Sequence, residues 1–381
     1  MNILYCIPHL YNSAGMERVL TQKVNWLASN TRHHIRIVTT ETTPKGLSDT
    51  YFELDKRVQV ECLHINFDAD YRKPLIAKWF GHMRRMAQYK RALTDYIRHN
   101  NIDLCISLCG KEIAFLHQMP CRTIAELHFS KDQRRQLLMA NHKGAFWSLL
   151  GRVRTWQLVR AVKPLERLVV LTVADKADWQ KAGCTNVSCI PNPCSLEHQK
   201  LPMKSREKTV LAVGRLHEQK GFDLLLDAWQ PIEKQHPDWT LRIVGEGDKR
   251  TALEAQIKAL GLQHVCLAGR TNDMAKEYTH ASCFVLSSRY EGLPLALIEA
   301  MWCGLPCVAF DCPHGAAELL SEQRGWLVSN GDTTALSQQL GYILSHPDEA
   351  AERASKAETF VRERYSEDTI MPLWQHVIEN R

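Results

Sequence analysis

Two glutamates eight residues apart, Glu291 and Glu299, lie in the stretch Ser287-Ser288-Arg289-Tyr290-Glu291-Gly292-Leu293-Pro294-Leu295-Ala296-Leu297-Ile298-Glu299-Ala300-Met301. The stretch follows a strand-like run and turns at Gly292. It is predicted to open a helix at Pro294, whose missing N–H would be unpaired at a first helical position anyway. Free N–H groups and a partial positive charge at such a terminus suit a phosphate. Carboxylates accept hydrogen bonds from diols, so Glu291 and Glu299 could hold the two ends of a sugar or ribose. Ile298, Ala300 and Met301 are apolar neighbours of Glu299, which points to a buried, partnered carboxylate rather than a solvated helix face.

A second loop, Val213-Gly214-Arg215-Leu216-His217-Glu218-Gln219-Lys220-Gly221, carries Arg215 and Lys220, two cations able to fold toward one diphosphate. Alone, such a loop would read as a solvated turn. Gly245-Glu246-Gly247 has the first two glycines of a dinucleotide fingerprint but Arg250 at the third, and reads as a tight strand-to-helix turn. Asn12-Ser13-Ala14-Gly15 is a turn of small residues that lets a ligand approach the backbone. His128 ends the strand-like Thr123–Leu127, at the sheet edge where ligands bind in α/β folds.

These residues need a scaffold, and its pattern is plain along the 381-residue chain. Short apolar runs alternate with amphipathic stretches, as in parallel sheets covered by helices. Strands are expected at Asn2–Ile7, Ile35–Thr40, Val58–Ile65, Ile102–Leu108, Arg122–Leu127 and Leu168–Thr172, with a long basic helix between Pro74 and His99. After a polar linker at Gln199–Lys208 the alternation restarts at Thr209–Val213, Thr240–Val244, His264–Ala268, Cys283–Leu286, Pro306–Ala309 and Trp326–Val328. The domains expected are an acceptor-side α/β domain at 1–198, a nucleotide-sugar-binding α/β domain at 205–365, and a terminal helix at 366–381 packing back on the first.

Taken together, the five positions resemble glycosyltransferase family 4, retaining nucleotide-sugar transferases of the GT-B fold. The family's E-x7-E signature is similar to Glu291…Glu299, and its GR…KG donor loop to Gly214–Gly221. The resemblance implies two Rossmann-like α/β domains facing each other across a cleft. It implies that Arg215 and Lys220 hold the donor diphosphate, that Glu299 bonds the ribose hydroxyls, and that Glu291 contacts the transferred sugar. Gly292, Leu293 and Pro294 would complete the cradle. Gly15 matches the family's acceptor-side glycine loop, although Ser-Ala-Gly stands where Gly-Gly is common, and His128 matches a sheet-edge histidine facing the donor sugar. The catalytic set implied is His128, Glu291, Arg215 and Lys220. The segment Asp311-Cys312-Pro313-His314-Gly315-Ala316-Ala317-Glu318 resembles a donor-tuned region, most similar to that of enzymes building bacterial surface polysaccharides and lipid-linked oligosaccharides.

Composition narrows the rest. With 45% hydrophobic and 24% charged residues, disorder, collagen and coiled coil are excluded. The net charge of +6 is uneven: residues 1–200 hold 29 basic and 17 acidic side chains, and residues 201–381 hold 19 and 25. Thirteen cysteines, without any C-x-x-C, read as reduced core residues of a cytoplasmic protein. Neither a signal peptide nor a spanning helix is expected. Asp68-Ala69-Asp70 formally matches a metal-binding D-x-D but reads as a solvated loop; Cys303, Cys307, Cys312 and His314 are metal-ligand types whose spacing fits no common zinc pattern, so the cysteines read as core residues, and no metal and no other cofactor is expected.

The basic region from Arg72 to Arg98, interleaved with Trp79, Phe80 and Tyr89, suits an anionic membrane surface or a solvated face equally. The reading that follows is transfer of a hexose or N-acetylhexosamine from a UDP-sugar to a glycan or lipid-linked glycan. It places the protein peripherally on the inner face of the cell membrane, with no nucleic-acid partner. The rivals are a nucleotide-sugar epimerase of the same fold and a basic non-enzymatic membrane- or nucleic-acid-binding protein.

Overall fold

The computed structural model describes residues 1–70, 74–133, 135, 136, 138, 144–194, 196 and 205–380. The expected linker falls outside them at 199–204. The chain forms two compact units: Met1–Arg135 with Gly144–Pro191 and Met371–Arg381, and Asn192–Ile370 with Gln136–Lys143.

In the first unit, seven parallel strands lie in the order β3-β2-β1-β4-β5-β6-β7. They are β1 (Asn2–Ile7), β2 (His34–Thr39), β3 (Gln59–Cys62), β4 (Leu104–Ser107), β5 (Arg122–Leu127), β6 (Arg167–Val170) and β7 (Val187–Cys189). The central strand β1 pairs with β2 and β4, setting Ile3 beside Ile35 and Leu104. Both faces are covered at the centre of this sheet, so β1, β4 and β6 are near-continuous buried runs, whereas the edge strand β3 alternates. The helices are α1 (Gly15–Asn30), α2 (Leu75–His99), α3 (Ala145–Val162) and α4 (Val173–Lys181). On α1 the apolar positions Val19, Leu20, Val24 and Leu27, spaced for one helix face, are all buried. The three-residue β7 escapes sequence reading because Val187-Ser188-Cys189 is too short to show a period. Asp68–Asp70 belongs to a 3-10 helix, Phe67–Asp70, not to a loop, because Phe67 anchors it in the core.

The second unit holds six parallel strands in the order β10-β9-β8-β11-β12-β13. These are β8 (Thr209–Val213), β9 (Thr240–Val244), β10 (Val265–Gly269), β11 (Cys283–Leu286), β12 (Cys307–Asp311) and β13 (Trp326–Ser329). Around them lie α5 (Phe222–Gln235), α6 (Arg250–Leu260), α7 (Met274–His280), α8 (Leu295–Trp302), α9 (Ala316–Leu320), α10 (Thr333–Ser345) and α11 (Pro347–Tyr365). This is the doubly wound order 3-2-1-4-5-6, and its direction reverses between β8 and β11. The final helix, α12 (Glu367–Glu379), crosses the boundary between the units at Ile370/Met371.

Candidate functional site

The reversal of strand order opens a crevice at the carboxyl ends of β8 and β11, where a doubly wound sheet binds its ligand. The loops leaving those two strands are Gly214–Gly221 and Ser287–Pro294, the two stretches singled out from sequence. They are laced together. The Arg289 backbone N–H donates to the Gln219 carbonyl at 2.8 Å, the Gln219 side chain to the Tyr290 carbonyl at 3.0 Å, and the Ser287 hydroxyl to the Lys220 carbonyl at 2.9 Å. Arg289 also forks onto Asp223 at 2.6 and 2.8 Å, tying the loop to the first turn of α5. Two glycines permit the approach. Gly221 has φ +61°, and a Cβ there would lie 2.1 Å from the Ser287 carbonyl oxygen; Gly245 has φ +144°, with a Cβ 1.9 Å from the Gly214 carbonyl oxygen. No side chain fits either position.

Within this frame the two carboxylates are buried and held differently. Glu291 is 7% exposed, and its Oε1 accepts from Lys220 Nζ and from the Ser288 hydroxyl, each at 2.6 Å. Glu299, on α8, is 6% exposed and accepts from the hydroxyl of the fully buried Tyr278 at 2.7 Å. Arg215 is exposed, and its guanidinium makes no ion pair among the described residues. Its charge is nonetheless felt at Tyr290, whose hydroxyl pKa burial raises and Arg215 pulls back. The crevice thus offers one uncommitted cation, one cation on a carboxylate, and two partnered carboxylates. That set suits a ligand with an anionic group and hydroxyls.

The first unit has its own reversal of strand order between β1 and β4. Gly15 starts α1, after an Ala14 cap that supplies no side-chain hydrogen bond, so the first-turn N–H groups lack that cover. His9 lies beside the loop, with Nδ1 3.2 Å from the carboxylate of the buried Glu17 and its ring stacked on Tyr11. Directly after β5, His128 Nε2 lies 3.1 Å from Glu126 Oε1. Glu126 is fully buried and pairs with Lys23, itself fully buried in α1. The Lys23 ammonium also sits 3.8 Å over the Trp374 ring and 5.5 Å over Tyr5. Burial alone would raise the Glu126 carboxyl, but Lys23 and His128 outweigh it and hold its pKa down at about 2. The facing atoms, His128 Nε2 and Glu126 Oε1, come this close without the alignment of a hydrogen bond, so the buried carboxylate acts on the ring through its charge.

Residues 195–360 match the family described as "Glycosyl transferases group 1". An uncharacterized glycosyltransferase of Haemophilus influenzae is 36% identical over 229 residues, 59% of this chain and 65% of that protein. The "GalNAc-alpha-(1->4)-GalNAc-alpha-(1->3)-diNAcBac-PP-undecaprenol alpha-1,4-N-acetyl-D-galactosaminyltransferase" of Campylobacter jejuni is 26% identical over 88% of this chain and 87% of its own length. A TarM variant of S. aureus, crystallised with fondaparinux, alpha-GlcNAc-glycerol and UDP, superposes with a TM-score of 0.78 at 16% identity, covering 100% of both chains. The chain has the GT-B fold of glycosyltransferases. Against the Haemophilus relative, the match spans just under two thirds of that protein's length.

In this GT-B chain the second-unit residues expected from sequence, Arg215, Lys220, Glu291, Gly292, Leu293, Pro294 and Glu299, all lie on the two laced loops or on α8. Pro294 differs in detail. It is the residue before α8, with a non-helical ψ of 89°, and the helix begins at Leu295. Lys220 is not aimed with Arg215 at an open point but engages Glu291. Tyr89 is also corrected: it is 1% exposed and donates to the buried Glu112 at 3.0 Å, so it belongs to the core rather than to the basic face of α2. Cys303, Cys307 and Cys312 are buried, with burial pushing the thiols of Cys303 and Cys312 up to about 12. Among the described residues no group of His, Cys, Asp and Glu could hold a metal ion.

Sequence reading missed Tyr278 and Ser288, the partners of the two glutamates, and the Lys23–Glu126–Trp374 assembly behind His128. One signal was present: Glu126 and His128 are two apart at a strand end and so share a face.

Proposed function

We propose that the protein is a retaining, metal-independent glycosyltransferase of family 4, moving a hexose or N-acetylhexosamine from a UDP-sugar to a hydroxyl of a glycan or lipid-linked glycan in surface-polysaccharide biosynthesis. The observation that carries this is the Lys220–Glu291–Ser288 cluster beside the buried Glu299 at the β8/β11 reversal. Arg215 and Lys220 bind the diphosphate and stabilise the charge that develops on it as the bond between the sugar carbon and the phosphate oxygen breaks. Backbone N–H groups after Gly292 add to that cradle. Glu299, held by Tyr278, accepts from ribose hydroxyls, and Glu291 from the sugar. The acceptor oxygen bonds the same sugar carbon on the same face, and its proton passes to the leaving phosphate oxygen. In the first unit, Gly15 admits the acceptor and His128 orients or stabilises the sugar. Names of relatives such as the Campylobacter enzyme support an acceptor of this kind.

The test is thermal stabilisation across nucleotide sugars, then transfer assays in excess chelator. A bound donor at a hundred times its dissociation constant adds about 2.7 kcal/mol. Arg215→Ala should lower kcat roughly 10²–10³-fold with an unchanged melting temperature. Loss of transfer in chelator with rescue by manganese would overturn the metal-free account, and release of free epimerised nucleotide sugar would favour the epimerase.

A further inference from the structure

The first unit exposes a stripe that neither catalysis nor packing uses. On α3, Phe146 (68% exposed), Leu149 (60%), Val153 (42%) and Trp156 (58%) recur at intervals of three, four and three, which is one face of a helix. The opposite face is also apolar: Leu158 and Val162 are buried in the core and Val159 packs against it. A helix apolar on both sides is ordinarily covered on both, and here, among the described residues, only one side is. Beside it, α2 exposes Trp79, Phe80 and Met83.

The two helices flank one turn of the β4→β5 connection. Both pack against the 3-10 turn Lys111–Ala114. The crossovers β3→β4 and β5→β6 run in the same direction across the sheet, so right-handed connections place α2 and α3 on one face. Their N-terminal turns, carrying Trp79–Met83 and Phe146–Leu149, both lie at the carboxyl edge of the strands.

We propose that α3, with the first turns of α2, is a docking surface that inserts its apolar stripe into an anionic lipid bilayer. Charge selects that occupant. Between them α2 and α3 carry nine Lys and Arg side chains and a single acid, Asp95. A second copy of the same face would bring like charges together, whereas an anionic interface takes both the cations and the apolar side chains. Nucleic acid would satisfy the cations but leave Leu149 and Val153 without a partner. Arg160, 5.5 Å over the Trp156 ring, joins cation and aromatic at one end of the stripe. Among the described residues no helix is long and apolar enough to cross a membrane, so the helix lies along the interface. This inference deepens the membrane placement of the proposed transferase by assigning the surface and by adding an apolar component to the electrostatic one.

The full chain is sedimented with phosphatidylcholine vesicles with and without phosphatidylglycerol, at low and high salt. Binding to the anionic vesicles is expected to fall with salt but not vanish. Phe146→Ser/Trp156→Ser should reduce partitioning about a hundredfold, and Arg152→Glu/Arg154→Glu should reduce it at least about tenfold at low salt. Circular dichroism and UDP binding, read in parallel, should match wild type. Wild-type-like partitioning by the Phe146/Trp156 variant overturns the proposal. So does retention on a polynucleotide without vesicle binding, or a monomer–dimer equilibrium abolished by that variant. Transfer to a soluble acceptor separates the two readings: vesicle binding lost with transfer intact leaves the enzyme reading standing, and the converse leaves the surface.

Discussion

Each unit holds a lysine–glutamate pair near the carboxyl edge of its sheet, and the two pairs are built to opposite ends. Lys23–Glu126 is wholly buried, roofed by Trp374, and shared with His128. Lys220–Glu291 lies at the crevice mouth, with the lysine side chain 20% exposed. The first pair meets the sheet edge at His128. The second can exchange partners with whatever enters. A buried pair fixes a geometry, whereas a half-open pair holds a charge in reserve until an anion arrives.

The sharpest way to break this contrast is to remove each lysine. Lys23→Ala strands an ionised Glu126 in the core and should cost about 3–5 kcal/mol in urea unfolding. Lys220→Ala should cost only about 1–2 kcal/mol, because water can follow into the space left by a lysine that is itself 20% exposed, while transfer falls by orders of magnitude. Equal destabilisation by both would erase the distinction. Gly221→Ala tests whether the open site depends on its loop lacing. The new Cβ meets the Ser287 carbonyl oxygen at a backbone angle that L residues avoid, so a loss of about 2 kcal/mol or more is expected by thermal melting. Tyr278→Phe removes one hydrogen bond to Glu299 and should lower stability by about 1–2 kcal/mol, with a larger relative effect on donor affinity.

The closed pair also carries a pH signature. The folded Glu126 carboxyl sits near 2 against an ordinary 4.5, so the unfolded chain binds more protons between those values. Stability from this group is present above about pH 4.5 and is lost as pH falls toward 2. Glu126→Gln should flatten that limb of the acid-unfolding curve, and an unchanged limb would mean that the pair carries no such linkage.

The open site was far more legible in the sequence than the closed one. Five of the six second-unit strand expectations match to within about one residue at each end, and the sixth, Pro306–Ala309, ends two residues short of β12. Buried parallel strands leave unbroken apolar runs between glycine turns. Glu291, Glu299, Arg215 and Lys220 sit within short spacings that a linear pattern preserves. The closed site is assembled from Lys23, Glu126 and Trp374, separated by 103 and 248 positions, and no local spacing records such a meeting. Lys23 lay in plain view on an apolar helix face, between Leu20 and Val24, where a lysine without a buried partner would not be tolerated. Tyr89 misled for the opposite reason: beside Lys90 and Arg91 it reads as surface, yet the helix turns it inward.

That separation bears on how the molecule is made. The first unit takes its last strand from Val187–Cys189 but its roof over Lys23 from Trp374, which the ribosome adds only after the entire second unit. During synthesis the nascent first half would hold an ion pair with one wall missing. Its final consolidation waits for a helix some 180 residues downstream, a long-range closure that sets a late step in folding.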